Sequence, residues 1–293
     1  PHPLLSIRVV RLVDADMHQR CLVGFRIEFL KPEYPCKFAT SLRPIYTVSV
    51  KKILILQMRP EDATAESELE AILRVGGLRP GEVHRIRLEQ QTPEVDLDEY
   101  YAIIAGGSPF DVSTPQEDKS QTQLQIEAFY TALFDRIIPD DFPFLGCCSG
   151  NGLLGQYAGA TISRTYAEPI GSIGITITED GKRDPLLAGL PTAFDALVGH
   201  KEACDSVPPG AVLLASSETC PVQMFRMGQN IYATQFHPEA NDHEIILRIK
   251  TYKNHGYFAP EQAEGLIAAV RNAQTPVAQE ILRRFVQCYK ALD

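Results

Sequence analysis

Two short stretches of the chain carry residues that could do covalent chemistry together. Phe144-Leu145-Gly146-Cys147-Cys148-Ser149-Gly150 is a short apolar run leading into Gly-x-Cys-x-Gly. A strand that turns tightly into a helix pushes one side chain out above its sheet. Glycines flank such a turn because it is strained and the neighbouring backbone packs close. The Cys148 thiol would then sit at a helix N-terminus, which favours the nucleophilic thiolate. The neighbouring Ser149 N–H would be placed to stabilise an oxyanion. For the pentapeptide alone, a buried cysteine pair in a loop is the competing reading. The second stretch decides between them. Val222–Met227 and Ile231–Gln235 read as a hairpin ending in Phe236-His237-Pro238-Glu239. A lone histidine is more often structural, but His237 follows a strand, and Glu239 two residues on is able to orient an imidazole. Cysteine, histidine and carboxylate are the three roles that nucleophilic acyl transfer needs.

The elements that must position these residues alternate. Ile53–Gln57 reads as a buried strand and Ala63–Val75 as a helix stopped by Gly76-Gly77. Val83–Leu88, Tyr101–Ala105 and Phe144–Gly146 read as strands, with helices over Gln121–Phe134 and Gly152–Ala158. Ile173–Thr178, Ala211–Ser216 and the hairpin follow. Alternating strands and helices imply an α/β fold with a mainly parallel sheet covered on both faces. Pro260–Tyr289 is helical, divided by Pro276.

Composition sets the outer limits. The 293 residues are 44% hydrophobic and 22% charged, which is globular and argues against wholesale disorder. No apolar run approaches the roughly 18 residues of a membrane helix, so a membrane protein is excluded. A formal charge of −9 makes a poor non-specific nucleic-acid binder. Seven cysteines without CxxC pairs disfavour a disulfide framework or zinc site and point to a reducing, cytoplasmic setting. Asp242/His243/Glu244 is no metal site, because adjacent residues on a helix point apart. The Arg283-Arg284 pair reads as a solvated face.

Residues 1–49 stand apart. They hold seven basic and four acidic residues, against 21 and 33 in the remainder, and begin at Pro1 rather than Met. They carry no secretory pattern. Leu22–Ile27 has strand character, but nothing around it reads as a unit. The expectation is a leader or N-terminal extension, not native to the domain, with Val50 as the natural start. Residues 50–293 then form one domain that includes a helical tail, 255–293.

The motifs in order resemble a class I glutamine amidotransferase domain, of the stand-alone GMP synthase-like kind. The carriers are Ala105-Gly106-Gly107-Ser108-Pro109, Gly146-Cys147-Cys148-Ser149-Gly150 and Thr234-Gln235-Phe236-His237-Pro238-Glu239. Asp184–Pro191 and Leu214–Ser217 read like the intervening family sequence, and the match spans about residues 51–245. The resemblance implies a three-layer, flavodoxin-like open sheet and a cysteine-dependent hydrolase that needs no cofactor or metal. It implies Cys148 as nucleophile, His237 as base and acid, and Glu239 as the orienting carboxylate. Gly107 N–H would join Ser149 N–H in the oxyanion hole. Cys147 would face the other way and pack. Gly199 and His200, in Val198–Glu202, would line the glutamine pocket, although a surface histidine reads the same segment.

One departure bears on substrate. The family usually has Gln four residues after the nucleophile, holding the substrate glutamine; here that residue is Gly152. A γ-glutamyl peptide or other γ-glutamyl amide therefore stands beside glutamine as substrate. No ATP-pyrophosphatase signature follows His237, so a synthase that consumes ammonia would be a separate partner chain. A catalytically idle, partner-binding domain is the third reading, opposed by the intact cysteine, histidine and glutamate.

Overall fold

The computed structural model describes residues 51–254 and 258–290, and the strand backbones at 7–12 and 24–29. The chain divides into two units, Pro1–Val50 and Lys51–Asp293. In the first, β1 (Ile7–Leu12) and β2 (Gly24–Phe29) pair antiparallel, with Ile7 opposite Phe29. The strand character near residue 25 thus does belong to a unit, a two-stranded ladder. The reading of 1–49 as a leader otherwise lies outside the described residues.

The second unit runs β3 (Lys52–Gln57), α1 (Asp62–Gly76), β4 (Val83–Arg87), β5 (Tyr100–Ala105), α2 (Gln121–Ile137), β6 (Phe144–Cys147) and α3 (Ser149–Tyr157). Then come β7 (Ile162–Ser163), β8 (Glu168–Ile177), α4 (Glu179–Arg183), β9 (Ala193–His200), β10 (Ala203–Cys204), β11 (Val212–Ser216), β12 (Met224–Met227) and β13 (Ile231–Thr234). The chain continues through α5 (Asp242–Tyr252), α6 (Ala263–Val270) and α7 (Pro276–Lys290).

Nine strands form one mixed, mostly parallel sheet, in the order β4-β3-β5-β6-β13-β12-β11-β8-β9. Strands β4 through β13 in that order are mutually parallel, and β12 and β8 are the two that run the opposite way. Ile53–Leu56 of β3 are all buried, as a parallel strand covered on both faces requires. One sheet face packs under α1 and α7, the other under α2 and α3. In α7, Ala278, Ile281, Leu282, Phe285 and Val286 are buried, one apolar stripe at helical spacing. The tail is therefore part of a covering layer. Arg284 differs from its expected solvated role, since its Nη1 donates to the carbonyls of Leu186 and Ala188 and ties α7 to the turn before β9.

Strand β9 is the main element that the sequence reading lacks. Its inward residues Phe194, Ala196 and Val198 are buried, but Asp195, Gly199 and two alanines dilute the alternation. It brings Gly199 and His200 to the site.

Candidate active site

The turn from β6 into α3 holds Cys148 at φ 54°, ψ −101°, a left-handed conformation that costs energy in a residue with a side chain. Its N–H donates to Thr234 O at 2.8 Å, fixing the turn to the end of β13. A Cβ on Gly146 would lie 2.7 Å from the Gly150 backbone, so the first glycine of the motif is required by close approach. The two adjacent cysteines part company here. Cys147 lies in the core beneath the sheet, where burial, with Glu239 and Glu68 adding, pushes its pKa well above the ordinary thiol value. Cys148 lines the cleft with Ser149, the first residue of α3. The first N–H groups of a helix have no intrahelical acceptor, and that of Ser149 is one of these.

One wall of the cleft is the segment after β13. His237 N–H donates to Leu197 O at 2.9 Å, pinning the segment to β9. The ring's Nδ1 lies 2.9 Å from Glu239 Oε1. Both side chains are buried, and His237 also contacts Cys148. Burial lowers the His237 pKa, Glu239 raises it, Arg248 lowers it and Cys148 raises it; the balance lies above the ordinary imidazole value. Burial likewise opposes the charge of Glu239, yet His237 and Arg248 hold it far below the usual carboxylate range.

The other wall gathers Gly152, Gly199, His200 and Glu202 with Cys148 around one cavity. A Cβ at Gly152 would meet Val112 Cγ2 at 3.6 Å and Glu202 Oε1 at 3.9 Å, so the position is open. Glu202 accepts from the N–H groups of Val112 (2.6 Å) and Ser113 (2.8 Å), while burial raises its pKa. His200 is buried, not a surface histidine. Its Nδ1 faces Glu202 O at 2.9 Å and its Nε2 faces Glu168 Oε2 at 2.8 Å.

Gly107 differs from its expected role. Its N–H donates to Glu68 Oε1 at 3.2 Å and is not aimed at an oxyanion beside Cys148 in this arrangement. The glycine is needed for another reason: a Cβ would lie 2.5 Å from Arg59 Nη2 and 3.3 Å from His237 Cε1.

Motif reading missed the ion pairs behind this wall. Glu68 accepts from Arg59 Nε at 2.8 Å and Gln57 Nε2 at 3.0 Å, and Arg248 reaches Glu239. A signal was present. Glu68 shares the buried face of α1 with Ala65, Ala71 and Ile72, and Arg248 that of α5 with Ile245, Ile249 and Tyr252. Buried charges on apolar faces are rare unless paired. As for metals, Glu168, His200 and Cys220 bring ligand atoms within 4.8 Å of one another. Protein donors already fill the Glu168 oxygens: His200, Ser217, Thr219 and Gln223.

A thiol at a strand-to-helix turn, facing a histidine–carboxylate pair at the end of the neighbouring strand, defines an α/β protein of the nucleophile-elbow class. Within that class, residues 65–246 match the family described as glutamine amidotransferase class-I. The chain is 28% identical over 173 residues to the A subunit of the glutamine-hydrolyzing GMP synthase of Sulfurisphaera tokodaii, covering 59% of this chain and 84% of that one. It is 27% identical over 193 residues to a Salmonella typhimurium protein named glutamine amidotransferase-like YfeJ, covering 66% and 70%. A glutamine amidotransferase of Thermotoga maritima shares the fold at a TM-score of 0.64 and 21% identity, over 82% of this chain and 98% of that one. The chain belongs to the class-I glutamine amidotransferase family.

Proposed function

We propose that the protein is a glutamine amidotransferase-type hydrolase that cleaves a γ-glutamyl amide through a thioester on Cys148. The thiolate Sγ attacks the γ-carbonyl carbon, and the resulting oxyanion faces the Ser149 N–H. His237, charged by the Cys148 proton and oriented by Glu239, gives that proton to the departing amine, releasing ammonia from glutamine. Water then attacks the thioester, with His237 taking a proton from it; the sulfur leaves and the glutamate product is freed. The observation that carries this reading is the left-handed Cys148 held against the buried His237–Glu239 pair.

A second reading, hydrolysis of a γ-glutamyl peptide, is favoured by the open space at Gly152. A missing polar contact weakens binding of a small ligand, and the vacated volume admits a larger one. The relatives named as one component of a GMP synthase support a separate synthase chain as partner. The free Cys147, Cys148, Cys204 and Cys220 accord with a reducing, cytoplasmic setting. The test is glutamate release from glutamine and from γ-glutamyl peptides, with Cys148→Ala as control. Release of glutamate by both proteins alike would contradict the proposal.

A further inference from the structure

No motif points to Arg248, yet it touches both residues of the proposed base. It stands on α5, 5% exposed, with Nη2 2.9 Å from Glu239 Oε1 and Nη1 3.0 Å from His237 Nδ1. Its Nη2 also lies 3.7 Å from Glu68 Oε1. Glu239 Oε1 therefore holds two partners, while Oε2 has none among the described residues.

An arginine only donates. His237 Nδ1 cannot donate to Glu239 and accept from Arg248 at once. With the proton on Nδ1, the ring leans on Glu239 and leaves Nε2 as the base. With the proton on Nε2, Nδ1 accepts from Arg248, and the ring cannot take a proton from Cys148. When both nitrogens carry protons, an imidazolium faces a guanidinium. The charge on the ring is thus set by opposing neighbours. Glu239 favours it; Arg248 opposes it. Beyond them stand Cys148 on the β6–α3 turn, Arg59 across Gly107, Glu68 on α1, and Tyr252, whose hydroxyl meets Arg59 Nη1.

We propose that Arg248 is a positioning residue: it clamps Glu239 and sets how readily the Cys148–His237 pair holds its second proton. This rests on the reading of Cys148 and His237 as nucleophile and base. A fixed positive charge beside the pair disfavours that proton. Removing it lets the pair stay protonated to higher pH. A like charge at this range moves a titration by about 1 pH unit or more.

The experiment needs no substrate. Iodoacetamide alkylates thiolates, and the rate at Cys148 is read by peptide mass spectrometry as a function of pH. The exposed Cys288 serves as internal reference. In Arg248→Met the midpoint for Cys148 should rise by about 1 unit or more, and Arg248→Lys should bring it back toward wild type. An unchanged midpoint, or a lysine variant that behaves like the methionine one, overturns the proposal. If Arg248→Met does not fold, Arg248→Gln takes its place under the same criteria. Failure of the underlying reading looks different: His237→Ala would then leave the wild-type Cys148 profile unmoved.

Discussion

Two buried glutamate–histidine pairs flank Cys148, and they are built for different ends. On one wall Glu168 holds His200, and on the other Glu239 holds His237, at 2.8 and 2.9 Å. Both nitrogens of His200 face oxygens, Glu202 O and Glu168 Oε2, so the ring is held from both sides. Glu168 is further tied by Ser217, Thr219 and Gln223, with no arginine among its hydrogen-bond partners in the described residues. That pair is tied into a hydrogen-bond network and shapes a wall. His237 spends one nitrogen on Glu239, with its charge contested by Arg248 and its ring in contact with Cys148. A site that moves protons needs such a balance, whereas a structural pair is better saturated.

The largest expected effect separates the two cysteines. Cys148→Ala should lower kcat by about a thousandfold or more at unchanged stability. Cys147→Ala should keep most activity and lose about 1–2 kcal/mol in urea denaturation, as truncation of a packed side chain does. Equal activity loss in both would break the assignment.

The two histidines come next. His237→Gln should cost about a hundredfold or more in kcat, while Arg248, which still pairs with Glu239, limits the loss of stability. His200→Gln removes one of the hydrogen bonds to buried Glu168 and should cost about 1–3 kcal/mol of stability, with kcat less affected than in His237→Gln. Urea midpoints and kcat for the two variants should therefore move oppositely; a shared pattern would mean that the pairs are equivalent.

The pairs should agree in acid. Both carboxylates sit below the usual range, against the cost of burial, because His200 and the hydroxyls hold Glu168, and His237 and Arg248 hold Glu239. A depressed folded value gives stability that is present above about pH 4.5 and lost as pH falls toward the folded value. Glu168→Gln and Glu239→Gln should each flatten the fall in urea midpoint between about pH 6 and about pH 3. The raised value of His237 acts the other way: its contribution is full below about pH 6.5 and fades as pH rises through the folded value.

The smallest effect belongs to the open position. Gly152→Gln should improve kcat/KM for glutamine by about tenfold, the worth of one recovered polar contact. No gain would show that Gly152 does not set the substrate.

Much of this was legible beforehand. The elbow was readable because a tight strand-to-helix turn needs glycines on both sides, and Gly146 indeed meets Gly150 at a distance that no side chain tolerates. The His237–Glu239 pair was readable because both residues lie on one short segment. The arginine network was not, since Glu68, 9 residues from its partner Arg59, comes near Arg248 only through the fold. Gly107 shows the limit of transfer by motif. The resemblance put its N–H with that of Ser149 in an oxyanion hole, but the direction of that N–H depends on Glu68, a residue outside the motif.

In the proposed mechanism Cys148 carries the acyl group. Acid quenching during turnover of a γ-glutamyl substrate, followed by fragmentation of the peptide that contains both cysteines, tests it directly. A γ-glutamyl adduct is expected on Cys148 and is expected to be absent in His237→Ala. An adduct on Cys147, or continued hydrolysis by Cys148→Ala, would contradict it.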